Sequence, residues 1–112
     1  MKHFILTTCM VSTLLISTLA HSEAEFSSEL IFPLQEKHVH GSTLAEMHNG
    51  EIVAAWFHGS GERKSNDVQV LGARLDQDDT EWSNIFPMAD TPDLPDCNPL
   101  LYTHSDNRLF LF

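Results

Sequence analysis

The chain has 112 residues, with six Lys plus Arg against sixteen Asp plus Glu and a formal net charge of −10. A surface that acidic repels phosphate backbones, which argues against nucleic acid as a partner. Only two cysteines, Cys9 and Cys97, are present, so the chain is not a disulfide-stapled scaffold.

In chain order, Met1-Lys2-His3 is a short basic start, and Phe4 to Ala20 is an apolar stretch diluted with Ser and Thr. This is the pattern of a secretory signal peptide. Cleavage is expected after Ala24, with Ala20 and Ser22 as alternative small-residue positions. A membrane anchor is the competing reading, but the apolar run falls short of the ~20 residues a spanning helix needs. A secreted or periplasmic location without stable membrane insertion follows. Cys9 leaves with the signal, and residues 25–112 must then hold together by burial alone.

Residues 21–40 are polar apart from Leu30-Ile31-Phe32-Pro33-Leu34, which suits an edge strand interrupted by proline. From Gly41 the pattern sharpens. Ser42 to Met47 reads as a strand, His48-Asn49-Gly50 as a tight turn and Glu51 to Phe57 as a second strand. Asn-Gly between two such runs predicts a type I′ turn. Ile52 to Phe57 is apolar without alternation, as expected of a strand covered on both faces.

A polar loop, His58 to Asp67, leads to a third strand, Val68 to Leu75. The acidic turn Asp76 to Asp79 then precedes a fourth strand around Trp82 to Met88, completing an antiparallel meander. After the proline-rich loop Asp90 to Pro99 the pattern restarts: a strand at Pro99 to His104, a turn at Ser105 to Arg108, and the beginning of another strand at Leu109 to Phe112. Helical periodicity is absent outside the signal. The expected class is therefore all-β. One meander followed by half of another is the signature of a repeat, with a β-propeller as the expected parent and a small six-stranded sandwich or open sheet as the alternative.

Meander topology sorts the polar residues. The start of the first strand, the end of the second and the loops into the third and fifth share one edge. That edge collects His38, His40, His58, Arg63, Asp67, Asp93, Asp96 and Asn98. His48 goes to the opposite edge with ordinary turn residues. His38 and His40 point the same way along a strand, but a third and fourth ligand at a recognised spacing are missing, so neither a metal nor another cofactor is expected.

The run "VHGSTLAEMHNGEIVAAWFHGSGERKSNDVQVLGARLDQDDTEW" followed by "DCNPLLY" resembles the first blade and the start of the second in sialidase-like proteins, the six-bladed BNR-repeat propellers. The resemblance covers about residues 35–112. It implies a propeller acting on a carbohydrate or glycan substrate, in which Asp67, in the loop between the second and third strands, is the general acid and base. Arg63 matches an arginine that helps to line the pocket. An oxocarbenium-like transition state needs a carboxyl group to protonate the leaving oxygen, and a hydroxyl-rich sugar needs fixed donors.

Two positions depart from the family. His40 stands where the family begins its first strand with an arginine that grips the sialic acid carboxylate, and histidine lacks the bidentate fork that suits a carboxylate. The Asp-box Ser-x-Asp-x-Gly-x-Thr-Trp survives only as "LDQDDTEW". The tyrosine nucleophile, its glutamate partner and the remaining arginines would come from later blades, and Tyr102 is not equated with that tyrosine. The resemblance thus implies the N-terminal part of a secreted glycoside hydrolase, inactive by itself, with Arg63 and His40 contacting substrate. A non-catalytic carbohydrate-binding or structural propeller is the alternative, and a complete small secreted β-domain a third reading.

Overall fold

A computed structural model describes residues 24–61 and 63–112. The predicted signal segment, apart from Ala24, lies outside the described residues. These form six strands and no helix: β1 (His38–Glu46), β2 (Ile52–Gly59), β3 (Gln69–Leu75), β4 (Phe86–Ala89), β5 (Leu101–Thr103) and β6 (Leu109–Leu111). They make two antiparallel sheets, one ordered β1-β2-β3-β4 and the other β5-β6. The protein is therefore all-β, as its patterning predicts.

β2 is the centre of the structure. Val53 to Phe57 are all buried, so the unalternating apolar run reflects cover on both faces. On one face Val53, Ala55 and Val70 pack with Leu101 of β5 and with Leu109 and Leu111 of β6. On the other, Ala54, Trp56, Leu71 and Ala73 are covered by Ile31, Phe32 and Trp82. Phe32 stacks on Trp56 with ring centres 4.7 Å apart. The predicted edge strand at Leu30 to Leu34 does not form. The chain bends at Ile31 and Phe32, because Pro33 offers no ladder donor and the two apolar side chains gain more by covering Trp56 than by extending a sheet.

β1 begins at His38, four residues before the predicted Ser42. Its pairing with β2 shifts between His40 and Thr43, where Gly41 adopts φ 61°. A Cβ at Gly41 would lie 2.7 Å from the Phe57 ring, so the bulge and the glycine are required together. The bulge keeps His38 and His40 on the same face as Ala45 and Met47.

The β1–β2 turn also differs from its predicted form. Only Gly50 has positive φ, at 82°. Gly50 N donates to Met47 O at 2.9 Å and Met47 N to Glu51 O at 2.8 Å. This is a three-residue loop with a left-handed third residue rather than a type I′ turn. The same loop recurs between β5 and β6, where Asn107 N donates to His104 O at 2.9 Å, His104 N to Arg108 O at 2.8 Å, and Asn107 has φ 65°. The two hairpins are tied together: His48 N donates to Asn107 Oδ1 at 2.9 Å and Leu101 N to Thr43 Oγ1 at 3.4 Å. β5 thus lies beside β1.

β4 is shorter than predicted. Ser83 N donates to Arg74 O at 2.7 Å and Arg74 N to Ser83 Oγ at 3.0 Å. This side-chain closure occupies the end of β3 and delays regular pairing until Phe86, and Pro87 is tolerated because β4 is an edge strand.

Candidate functional site

The register puts the start of β1, the end of β2, the loop into β3, the end of β4 and the loop into β5 on one edge of the larger sheet. His38, His40, His58, Arg63, Asp67 and the loop Asp90 to Asn98 all belong to it. His48 lies at the other edge, in the β1–β2 turn.

Gly59 ends β2, buried, at a point where a Cβ would meet Val68 Cα at 2.7 Å and Asp67 O at 2.9 Å. The loop therefore returns against the strand that launched it, bringing Asp67 back to Ser60. Ser60 N donates to both carboxylate oxygens of Asp67 at 3.1 Å, and Ser60 Oγ donates to Oδ1 at 2.7 Å. Lys37 Nζ, just before β1, donates to Oδ2 at 3.0 Å. The Ser60 hydroxyl, the Lys37 ammonium and the Ser60 amide, in that order, hold the Asp67 carboxyl well below the usual carboxylate range. Asp67 is exposed, so the ion pair with Lys37 is solvent-screened and is a positional device more than a stabilising one.

Arg63 is exposed and makes no ion pair with Asp67 among the described residues. The cation that does engage Asp67 is Lys37, which the sequence pattern missed. The early start of β1, seen only in the structure, sets Lys37 across from the end of β2. His40 is exposed on β1, its ring edge-on to Phe57 with centres 5.5 Å apart. In the neighbouring loop Thr91 N and Oγ1 donate to Asp96 at 2.6 and 2.8 Å, and Asp96 N donates to Val68 O at 2.9 Å. Asp96 is absorbed in shaping its own loop and docking it onto the start of β3. Asp93 and Asn98 hold left-handed backbone, with φ 62° and 54°. Cys97 is half-buried.

No family model, curated protein or solved structure matches this chain. The chemistry of the edge therefore rests on its own geometry. An ionised carboxylate that accepts from three donors is a hydrogen-bond acceptor or a base, whereas a general acid must hold a proton at working pH. Two open depressions accompany the sheet. One, about 550 Å³, is lined by Glu51, Arg74, Trp82 and Ser83 at the opposite edge. The other, about 520 Å³, lies between residues 29–35 and Trp56. Neither is lined by Asp67, Arg63 or His40.

The Asp67 cradle predicts a titration. By carbon-detected NMR its carboxyl titrates below the ordinary aspartate range, and Ser60→Ala moves it back toward that range. Because the folded value is depressed, the associated stability is present above pH ~4, the unfolded aspartate value, and is lost as pH falls toward the folded value. An Asp67 that titrates in the ordinary aspartate range would contradict the cradle.

Proposed function

We propose that the chain forms the first blade and the start of the second of a secreted sialidase-like propeller acting on terminal sugars of glycans, with Asp67, Arg63 and His40 on its substrate rim. One observation supports this reading above the others. A four-stranded antiparallel meander packs face to face on a second sheet, whose first strand lies beside the meander's first strand and whose hairpin loop repeats the meander's. Successive propeller blades are related in this way. In that reading Asp67 must gain a proton as substrate displaces its Ser60 and Lys37 donors, and then delivers it to the glycosidic oxygen while a nucleophile from further blades attacks the anomeric carbon.

A second reading is favoured by the Asp67 cradle itself. Three donors on an ionised carboxylate suit a fixed acceptor for sugar hydroxyls, which is the chemistry of a carbohydrate-binding propeller. The two readings part at turnover.

The test is to titrate the purified chain with neutral and acidic monosaccharides while recording amide spectra, and to assay it with aryl glycosides. The expected result is no turnover, with shifts confined to residues 37–41, 58–68 and 90–98, and binding weakened roughly tenfold or more in Asp67→Asn. Shifts at the opposite edge, or none at millimolar sugar, would overturn the glycan reading. Turnover by the chain alone would overturn the assignment of the nucleophile to further blades.

A further inference from the structure

We propose that His38 and His40 form a two-imidazole site for a divalent transition metal of the Cu²⁺, Ni²⁺, Zn²⁺ class. This goes beyond the glycan reading and does not depend on it.

The two residues are i and i+2 on β1, so their side chains leave the same face. Their ring centres are 5.4 Å apart with planes inclined by 42°. Imidazoles sharing one tetrahedral ion, with metal–nitrogen distances of about 2.0–2.1 Å, have ring centres about 5 Å apart. The ring centres therefore already stand at a chelating separation.

The separation is enforced from behind. Phe57, fully buried, lies 5.7 Å from the His38 ring and 5.5 Å from the His40 ring, centre to centre. The Gly41 bulge lets that phenyl ring come up between strand and histidines. An apolar floor of this kind limits the rotamers the two imidazoles must give up on binding.

Among the described residues no group of three or more His, Cys, Asp or Glu is arranged around an ion. The remaining coordination positions thus go to water or to oxygens of a bound ligand, which makes the site exchangeable rather than structural. Imidazole suits Cu²⁺, Ni²⁺ and Zn²⁺, and among these Cu²⁺ binds tightest to a nitrogen pair.

The experiment is a titration of the chain with Cu²⁺ and with Zn²⁺, followed by calorimetry and electron paramagnetic resonance. A free amino terminus with histidine third chelates Cu²⁺ by itself, so any protein tested that keeps residues 1–24 carries His3→Gln. The expected result is one ion per chain and a copper signal split by two imidazole nitrogens. Affinity falls about tenfold or more in His38→Gln and in His40→Gln and stays unchanged in His48→Gln, which alters a histidine at the far edge. Without any further variant, Zn²⁺ protects His38 and His40, and not His48, from diethylpyrocarbonate. Less than twofold loss in either site variant, an equal loss in His48→Gln, or no protection would overturn the proposal.

Discussion

Replacing Phe57 by alanine is expected to lower the unfolding free energy by about 3–5 kcal/mol. Phe57 is the largest fully buried side chain among the described residues, and three features converge on it. It fills the space left by the Gly41 bulge, supports the His38 and His40 rings, and lies at the end of the β2 run that both faces of the sheet depend on. With no disulfide among the described residues, these strands hold together by burial, which leaves little stability in reserve. The variant should therefore be substantially unfolded at room temperature. Urea denaturation followed by the fluorescence of Trp56 and Trp82 measures this, and Phe57→Leu, which keeps most of the volume, should recover most of the loss. A Phe57→Ala protein within 1 kcal/mol of the parent would mean that the bulge and the histidine face collapse without cost.

The second large effect is expected at Gly59. Valine there drives its side chain into Val68 Cα and the Asp67 carbonyl. Both are backbone, so the obstruction cannot be relieved by rotating a side chain. Overpacking of this kind costs about 1–3 kcal/mol, but the more diagnostic consequence is local. Pushing the loop away from β2 separates Ser60 from Asp67, removing the hydroxyl and amide donors that hold its carboxyl down. The Gly59→Val protein should therefore show Asp67 titrating nearer the ordinary aspartate range, together with faster amide exchange across residues 60–68. Unchanged Asp67 titration would show that Ser60 follows the loop rather than the strand.

Legibility in the sequence follows how local each cause is. The four-strand meander, the restart after the proline-rich loop and the sorting of polar residues onto two edges were all readable, because alternation, apolar runs and turn residues are short-range signals. The turns were located correctly and typed wrongly at Asn49-Gly50. Asn-Gly serves a type I′ turn and a three-residue loop with a left-handed third residue alike, and the choice depends on how Glu51 pairs back to Met47. The start of β1 was missed because its first residues, His38 to Gly41, carry only one apolar side chain, Val39. They are held in the sheet by partners at the far end of β2 and not by their own hydrophobicity.

The site divides along the same line. Asp67 was singled out by the family resemblance, through its place in the loop before β3. Its actual donors, Ser60 and Lys37, stand seven and thirty residues away, and no pattern in the chain announces them. Asp96, a candidate rim residue from its loop, proved to be occupied by Thr91 and by docking onto Val68. Whether a loop carboxylate faces a ligand or staples its own backbone is a question of the neighbour it meets, which spacing does not encode.

By itself the sequence determined the strand content, the antiparallel order and the edge on which the polar residues gather, since each arises from residue preference and period over a few positions. Only the tertiary structure decided that Gly59 folds the loop back to fix Asp67 as an anion. It alone set Phe57 behind His38 and His40 at a chelating distance, and let Ile31 and Phe32 cover Trp56 instead of forming a strand. Those outcomes depend on close approach between segments far apart in the chain, where a missing Cβ or one buried ring decides which groups meet.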